Sequence, residues 1–380
     1  MRCCVAALLA FVPMLAFAGG LPAPSAIDAE VARVLQASGA KGLAIAVIDE
    51  GRPLHVAAQG VRNGKGDPLL RDTVMYGASL TKAVFGYTVM RQVEQGRMAL
   101  DTPIARYLPQ PLPSYHSPDI VRNFADWSAL DERWRKLTPR ILLNHGSGFA
   151  NFGFLEADGR LRFHFEPGTR YAYSGDGLNT LQFVMQTGPG IDLGRETARI
   201  FDEFGMTRTS LIWRDDFAAN LADGWDEHGK VEPHDERSKV RAAGSMDTTI
   251  DDMAKFVAAY VRGDGLSREG RAELVRPQLP IATRSQFPTL QAELPASQRR
   301  KDLAAGLGVV VFDGPQGRGF FKGGHNEITA NTWVCVEARR RCVVILSNDV
   351  RSERRFPELV RFILGETGVP YDWEYGTQRD

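Results

Sequence analysis

Three short stretches hold residue types suited to acyl transfer. The first is Ser79-Leu80-Thr81-Lys82, at the start of a strongly helical segment. Residues three apart on a helix share a face, so the hydroxyl and the amine project together. A serine at a helix start meets backbone N–H groups that favour developing negative charge. A lysine beside it lowers the cost of removing the hydroxyl proton. The second is Pro167–Gly175, a turn leading into a helix that starts near Asp176. It presents Tyr173 at the helix mouth, where a phenol can relay a proton; a packing aromatic would read the same way. The third is Phe321-Lys322-Gly323-Gly324-His325-Asn326. Its lysine adds positive charge, and its two glycines let a ligand or another backbone approach closely. Each stretch alone is weak: S-x-x-K recurs by chance, and the third also reads as a Gly-rich turn.

These groups need elements to hold them. Apolar spacing predicts helices over 26–37, 79–94, 176–187, 193–204 and 356–364. Thr138-Pro139 opens a short helix, and Thr248-Thr249 caps another that runs to Val261. Strands are expected at Gly42–Asp49 and Arg52–Gly60 around a Glu50-Gly51 turn, and at 305–312, 330–337 and 342–347, with a shorter candidate at 318–322. The stretch 277–302 is Pro- and Gln-rich and reads as a long surface loop. The β-rich ends most simply pair into one antiparallel sheet flanked by the terminal helices. The fold class is therefore α+β. Residues 19–76 and 305–380 would form the sheet lobe and 77–304 a mostly helical second lobe, with the site in the cleft between them.

Composition narrows the function. The chain has 380 residues, with 46 Lys plus Arg against 46 Asp plus Glu. No basic excess points to nucleic acid, and the runs 299–301 and 339–341 read as a solvated loop and turn. Residues 1–18 resemble a secretory signal peptide: Arg2, an apolar stretch from Val5 to Phe17, then Ala16-Phe17-Ala18. The expectation is export, to a bacterial periplasm, with no membrane insertion after cleavage. Cleavage removes Cys3 and Cys4 and leaves Cys335 and Cys342 on either side of a hairpin turn. An oxidising compartment permits a cross-strand disulfide. Strand register decides between that and two thiols on opposite faces, and register is not legible in the sequence. No cofactor or metal is called for. His228, Glu232, His234, Asp235 and Glu236 are metal-like in composition, but their spacing fits no standard zinc pattern, and a polar loop is the simpler reading.

Taken together and in order, Ser79-x-x-Lys82, Tyr173-Ser174-Gly175 and Lys322-Gly323-Gly324 resemble the serine β-lactamase and penicillin-binding-protein-like hydrolases. The branch most similar is that of class C β-lactamases, D-alanyl-D-alanine carboxypeptidases and family VIII esterases. Leu100–Ile104, Asn144–Gly148 and Ala242–Ser245 support it, and the likeness runs from about residue 26 to about residue 365. It implies a β-lactamase/transpeptidase-like fold and a Ser79 nucleophile that forms an acyl-enzyme. Lys82 would lower the proton-transfer cost, and Tyr173 would serve as base and then acid; which of the two is the true base stays open. Lys322 would keep the site positive, with Gly323, Gly324 and His325 facing substrate. The backbone N–H groups of Ser79 and His325 would form the oxyanion hole. The two lysines are expected to favour the Tyr173 phenolate and to depress each other's pKa.

Two departures matter. The β-lactamase pattern has Asn where this chain has Gly175, and Thr where it has Gly323. The amide that would hold a β-lactam side chain and the hydroxyl that would meet a substrate carboxylate are both missing. The expected function is thus a secreted, cofactor-free serine hydrolase of esterase or peptidase type, acting on a small-molecule ester, an amide or a short peptide. A class C-like β-lactamase is the alternative within the same chemistry. A non-hydrolytic penicillin-binding or sensor protein is the alternative outside it. Specificity would come from the loops 114–137 and 277–302.

Overall fold

A computed structural model describes residues 20–376. The signal-peptide reading of residues 1–18, with Cys3 and Cys4, lies outside the described residues. At the amino end, helix α1 (Pro24–Ser38) leads into strands β1 (Gly42–Asp49) and β2 (Arg52–Gly60). Glu50 and Gly51 both take positive φ, 50° and 75°, as a tight two-residue hairpin with the native strand twist demands.

The other strands come from far along the chain: β3 (Leu279–Pro280), β4 (Leu303–Ala305), β5 (Val310–Gly314), β6 (Gly317–His325), β7 (Ala330–Val336) and β8 (Arg341–Ser347). They form one antiparallel sheet in the order β2-β1-β8-β7-β6-β5-β4-β3. The two ends of the chain meet where Leu43 of β1 pairs with Ser347 of β8.

Strand alternation builds a core on each face. Leu43, Ile45 and Val47 face one way, with Val343 and Ile345, onto α1 and helix α5 (Phe356–Leu364). Ala44, Ala46 and Ile48 face the other way, with Val344 and Leu346, onto a larger core shared with helix α4 (Ile250–Arg262) and the helical middle. In that core Tyr260 of α4 meets Trp333 of β7 edge-on at 4.9 Å. Thr249 caps α4 as expected, accepting from the Asp252 N–H.

Several elements differ from expectation. The strand expected over 305–312 is two strands, because Gly306–Gly308 leaves the sheet to pack on the backbone of α2 (Thr81–Glu94). The short candidate at 318–322 is a nine-residue strand, so Lys322, Gly323, Gly324 and His325 lie inside β6 rather than in a turn. Ser79 sits in a 3-10 turn, Ala78–Leu80, that feeds α2. The sheet also reaches into the lobe expected over 77–304, through β3, which lies in the stretch expected to be a surface loop, and the start of β4. A helix at Arg268–Leu274 and a short C-terminal helix α6 (Tyr371–Tyr375) had no clear sequence signal. Register settles the cysteines: Cys335 and Cys342 are directly opposed in β7 and β8 and form a disulfide.

Candidate active site

The Ser79 turn is pinned before it is reactive. Gly77 N–H donates to the Met246 carbonyl at 2.8 Å, and Thr81 Oγ1 accepts from the Met246 N–H at 3.1 Å. Ala78 is held at φ 46°, a region costly for a residue with a Cβ. Such local strain persists only where surrounding bonds over-determine it. Ser79 is left half-buried at the mouth of a cleft of about 740 Å³.

Two proton carriers converge on its oxygen. The Tyr173 hydroxyl donates to Ser79 Oγ at 2.9 Å, and Lys82 Nζ lies 3.0 Å from the same atom. Lys82 also donates to the Ala243 carbonyl. Tyr173 comes from the segment before α3 (Gly175–Thr187), whose N-cap Ser174 accepts from the Gly177 N–H at 3.0 Å. Lys322 arrives on β6, its Nζ 5.2 Å from the Tyr173 ring centre, with Lys82 Nζ at 4.9 Å. Lys82, Tyr173 and Lys322 are all buried. Buried His145, at φ 59°, supports the phenol from behind: its ring lies 4.6 Å from that of Tyr173, and its Nδ1 accepts from the Ser174 N–H.

Electrostatics correct one expectation. Burial pushes the Tyr173 phenol well above its ordinary range, opposed by its bond to Ser79. The phenolate is not the resting form. Burial, then the Lys322 charge, hold Lys82 well below the usual lysine value. Burial pushes Lys322 down to about 8, opposed by the charge of Glu374. Depression by the neighbouring lysine therefore reaches Lys82. Asp176 sits behind the cleft, its carboxyl raised by burial although it accepts from the Gly153 N–H at 2.7 Å.

β6 and the serine turn approach closely. A Cβ on Gly324 would stand 2.9 Å from the Ser79 backbone nitrogen and 3.0 Å from that of Leu80. Glycine at 324 is thus required for the strand edge bearing His325 to lie against the Ser79 turn. Beyond Phe321, β6 is no longer paired to β5, so Lys322–His325 borders the cleft. The His325 ring itself turns to Glu353, with Nδ1 3.0 Å from Oε1.

Both departures from the family pattern are filled. A Cβ on Gly175 would lie 2.5 Å from Cε1 of Phe152. A Cβ on Gly323 would lie 1.6 Å from Oε1 of Glu374. The rest of the wall is mixed, with Val121, Phe124 and Ala125 from the first expected loop, Phe287 from the second and Phe154 giving it more apolar than polar surface, and Arg122, Asp126, Asn151, Asn179, Arg241 and Gln286 set among them. Phe287 meets the Tyr173 ring edge-on at 5.6 Å. Sequence reasoning missed Phe152 and Glu374; a glycine where a family has a larger residue was the only signal, and it does not say what fills the space. The acidic and histidine-rich stretch 228–236 gathers no metal set: among the described residues no three His, Cys, Asp or Glu are grouped to hold an ion. His234 instead bonds the buried Asp247, at 3.0 Å. No helix among the described residues is long and apolar enough to cross a membrane.

A family model described as Beta-lactamase matches residues 27–366. Among curated relatives, the D-alanyl-D-alanine-carboxypeptidase/endopeptidase AmpH of Escherichia coli (strain K12) is 23% identical over 321 residues, spanning 77% of this chain and 74% of its own. The lovastatin esterase of Penicillium rubens is 29% identical over 188 residues, 42% of this chain and 46% of the esterase. The crystal structure of D-alanine carboxypeptidase AmpC from Burkholderia cenocepacia superposes with a TM-score of 0.67 at 18% identity, over 90% of this chain and 98% of that one.

Proposed function

The chain belongs to the beta-lactamase family, and from that premise we propose that it is an exported serine hydrolase that acylates Ser79 and returns the acyl group to water, with esters of apolar acyl groups as its best substrates. One observation carries this: Ser79 Oγ is within hydrogen-bond reach of both Tyr173 and Lys82 at the mouth of a cleft whose wall is more apolar than polar.

The raised phenol and the lowered Lys82 amine support one proton path. Ser79 Oγ attacks the ester carbonyl while its proton passes to neutral Lys82. The oxyanion is met by the backbone N–H groups of Ser79 and His325. As the C–O bond to the leaving group breaks, Tyr173 gives its proton to the departing oxygen, and the protonated Lys82 returns a proton to the phenolate. Water then attacks the acyl-enzyme with the same groups, and Ser79 regains its proton. Lys322 keeps the cleft positive throughout.

Phe152 in the space above Gly175 and Glu374 in the space beside Gly323 weigh against β-lactams. They replace an amide and a hydroxyl by a ring and a carboxylate. A carboxypeptidase-like activity is the second reading, favoured by the length of the match to AmpH. Export is supported by the leader-like residues 1–18, and the Cys335–Cys342 bridge suits an oxidising compartment.

The test is turnover of p-nitrophenyl butyrate and a chromogenic cephalosporin side by side, with Ser79→Ala as control. Ser79-dependent ester turnover with little cephalosporin cleavage is expected. Fast cephalosporin cleavage would put the β-lactamase alternative first. An acyl adduct on Ser79 that never decays would mean a ligand-capturing sensor instead. Expressed in a bacterial host, the protein should be recovered from the periplasm with a mass lacking the leader, and full-length protein confined to the cytoplasm refutes export.

A further inference from the structure

The carboxylate of Glu374 borders the Lys322 end of a cleft whose other charged lining residues are Lys82, Asp176, Asp126, Arg122 and Arg241. It comes from the last described helix, α6, and is only 4% exposed. Its Oε1 stands 1.6 Å from where a Cβ on Gly323 would be, so the missing side chain at 323 is the space the carboxylate fills. It borders the same cleft as Ser79, Lys82 and Lys322.

Its position is built. The neighbouring Trp373 is buried, its Nε1 donates to Thr283 Oγ1 at 3.2 Å, and its carbonyl accepts from the Gln286 N–H at 2.8 Å. Its ring lies 5.8 Å from that of Tyr171. α6 is thereby fastened to the loop that carries Phe287 and to the segment that carries Tyr173. The negative charge opposes the burial that pushes Lys322 down to about 8.

We infer that Glu374 determines specificity: seated in the space left by Gly323, its carboxylate turns the Lys322 end of the cleft against substrates bearing a carboxylate there and towards substrates that are neutral or bear an ammonium group. This rests on the hydrolase reading above. The physical reason is that Lys322 has one positive charge to offer, and Glu374 already faces it. A second carboxylate entering the same buried space gains little from the lysine and meets the repulsion of Glu374 at short range, where low dielectric makes it costly. An ammonium group meets the reverse.

The experiment uses three esters with one acyl group: phenyl butyrate, 3-carboxyphenyl butyrate and 3-(trimethylammonio)phenyl butyrate. A shared acyl group makes deacylation common to all three, so kcat/KM reports acylation and the leaving-group end of the cleft. Ratios of kcat/KM to that of phenyl butyrate are compared in the wild type and in Glu374→Gln, which keeps shape and removes charge. The carboxylate ratio should rise by about tenfold and the ammonium ratio should fall by several-fold, as expected for a charge removed at close range. Gly323→Ala, which needs the space the carboxylate occupies, should move both ratios in the same directions. Ratios within about twofold of wild type, or two ratios moving together, overturn the inference, since a merely structural role cannot separate charge signs. Absence of Ser79-dependent cleavage of all three esters overturns the hydrolase reading itself, and the inference with it.

Discussion

Gly175→Ala places a methyl carbon 2.5 Å from Cε1 and 2.7 Å from Cζ of Phe152, against the ~3.5–4.0 Å of an ordinary carbon contact. Gly175 has no positive φ, so the backbone accepts an L side chain and the cost is steric. The first turns of α3 are buried and cannot retreat, so the Phe152 ring must. That ring stacks on Phe154 with centres 5.2 Å apart and an 11° tilt. Displacing it forfeits the aromatic pair and part of its burial, about 1–2 kcal/mol. Alanine at a helical position returns about 0.5–1 kcal/mol relative to glycine. The net expectation for Gly175→Ala is a loss of about 1 kcal/mol. In a Phe152→Ala background the clash is gone, and the same change should be neutral or stabilising. The double-mutant cycle therefore carries a coupling of about 1.5–2 kcal/mol. Equilibrium urea unfolding of the four proteins, with the disulfide intact, measures it. A coupling below ~0.5 kcal/mol, the scatter of independent sites, would refute the claim that Phe152 occupies the place of a side chain at 175.

Three further outcomes follow from the site and the sheet. Tyr173→Phe keeps the ring packing and removes the proton donor, so kcat/KM for the phenyl esters should drop by about 10²–10⁴ while the urea midpoint barely moves; unchanged activity refutes its acid role. Acylation needs neutral Lys82, so kcat/KM should rise with pH through a value depressed below the ordinary lysine range and level off above it. Lys322→Ala removes a cation that lowers the Lys82 pKa, so the rising limb should move to higher pH, and a limb that stays or moves down contradicts Lys82 as the base. Replacing Cys335 and Cys342 together by alanine opens a bridge of sequence separation 7, which closes only a short loop. The chain-entropy argument gives a loss of about 2.5 kcal/mol, read by urea unfolding with and without reductant.

The legible parts of the sequence were those where local chemistry and function coincide. The β1–β2 hairpin follows from apolar runs and a Glu-Gly turn. Both predicted strands match the observed bounds. Helix α5 follows from its apolar face, and α4 from its threonine cap and the acidic residues of its first turn. Ser79, Lys82, Tyr173 and Lys322 were singled out because three ordered motifs are far more specific than one; the fold brings Lys82 and Tyr173 onto the Ser79 oxygen and sets Lys322 beside the Tyr173 ring. Less was legible where the determinant is a distant partner. The break between β4 and β5 depends on α2 packing against Gly306–Gly308, which strand periodicity cannot register. The extension of β6 through Gly323 and Gly324 runs against the usual weakness of glycine in a strand, and is held by pairing with Asn331 and Thr332.

The sequence alone determined the chemistry on offer: a serine, two lysines and a phenol in an order that resembles one family, and an alternation that commits the two chain ends to one sheet. Tertiary structure decided three things. Register, set by sheet packing, opposed Cys335 to Cys342. Burial, which no residue carries in its own letter, kept the Tyr173 proton in place and depressed the lysines. Close approach of segments remote in the chain filled the spaces left at Gly175 and Gly323 with Phe152 and Glu374. A glycine announces room for a neighbour, but which neighbour takes it depends on where the whole chain folds back.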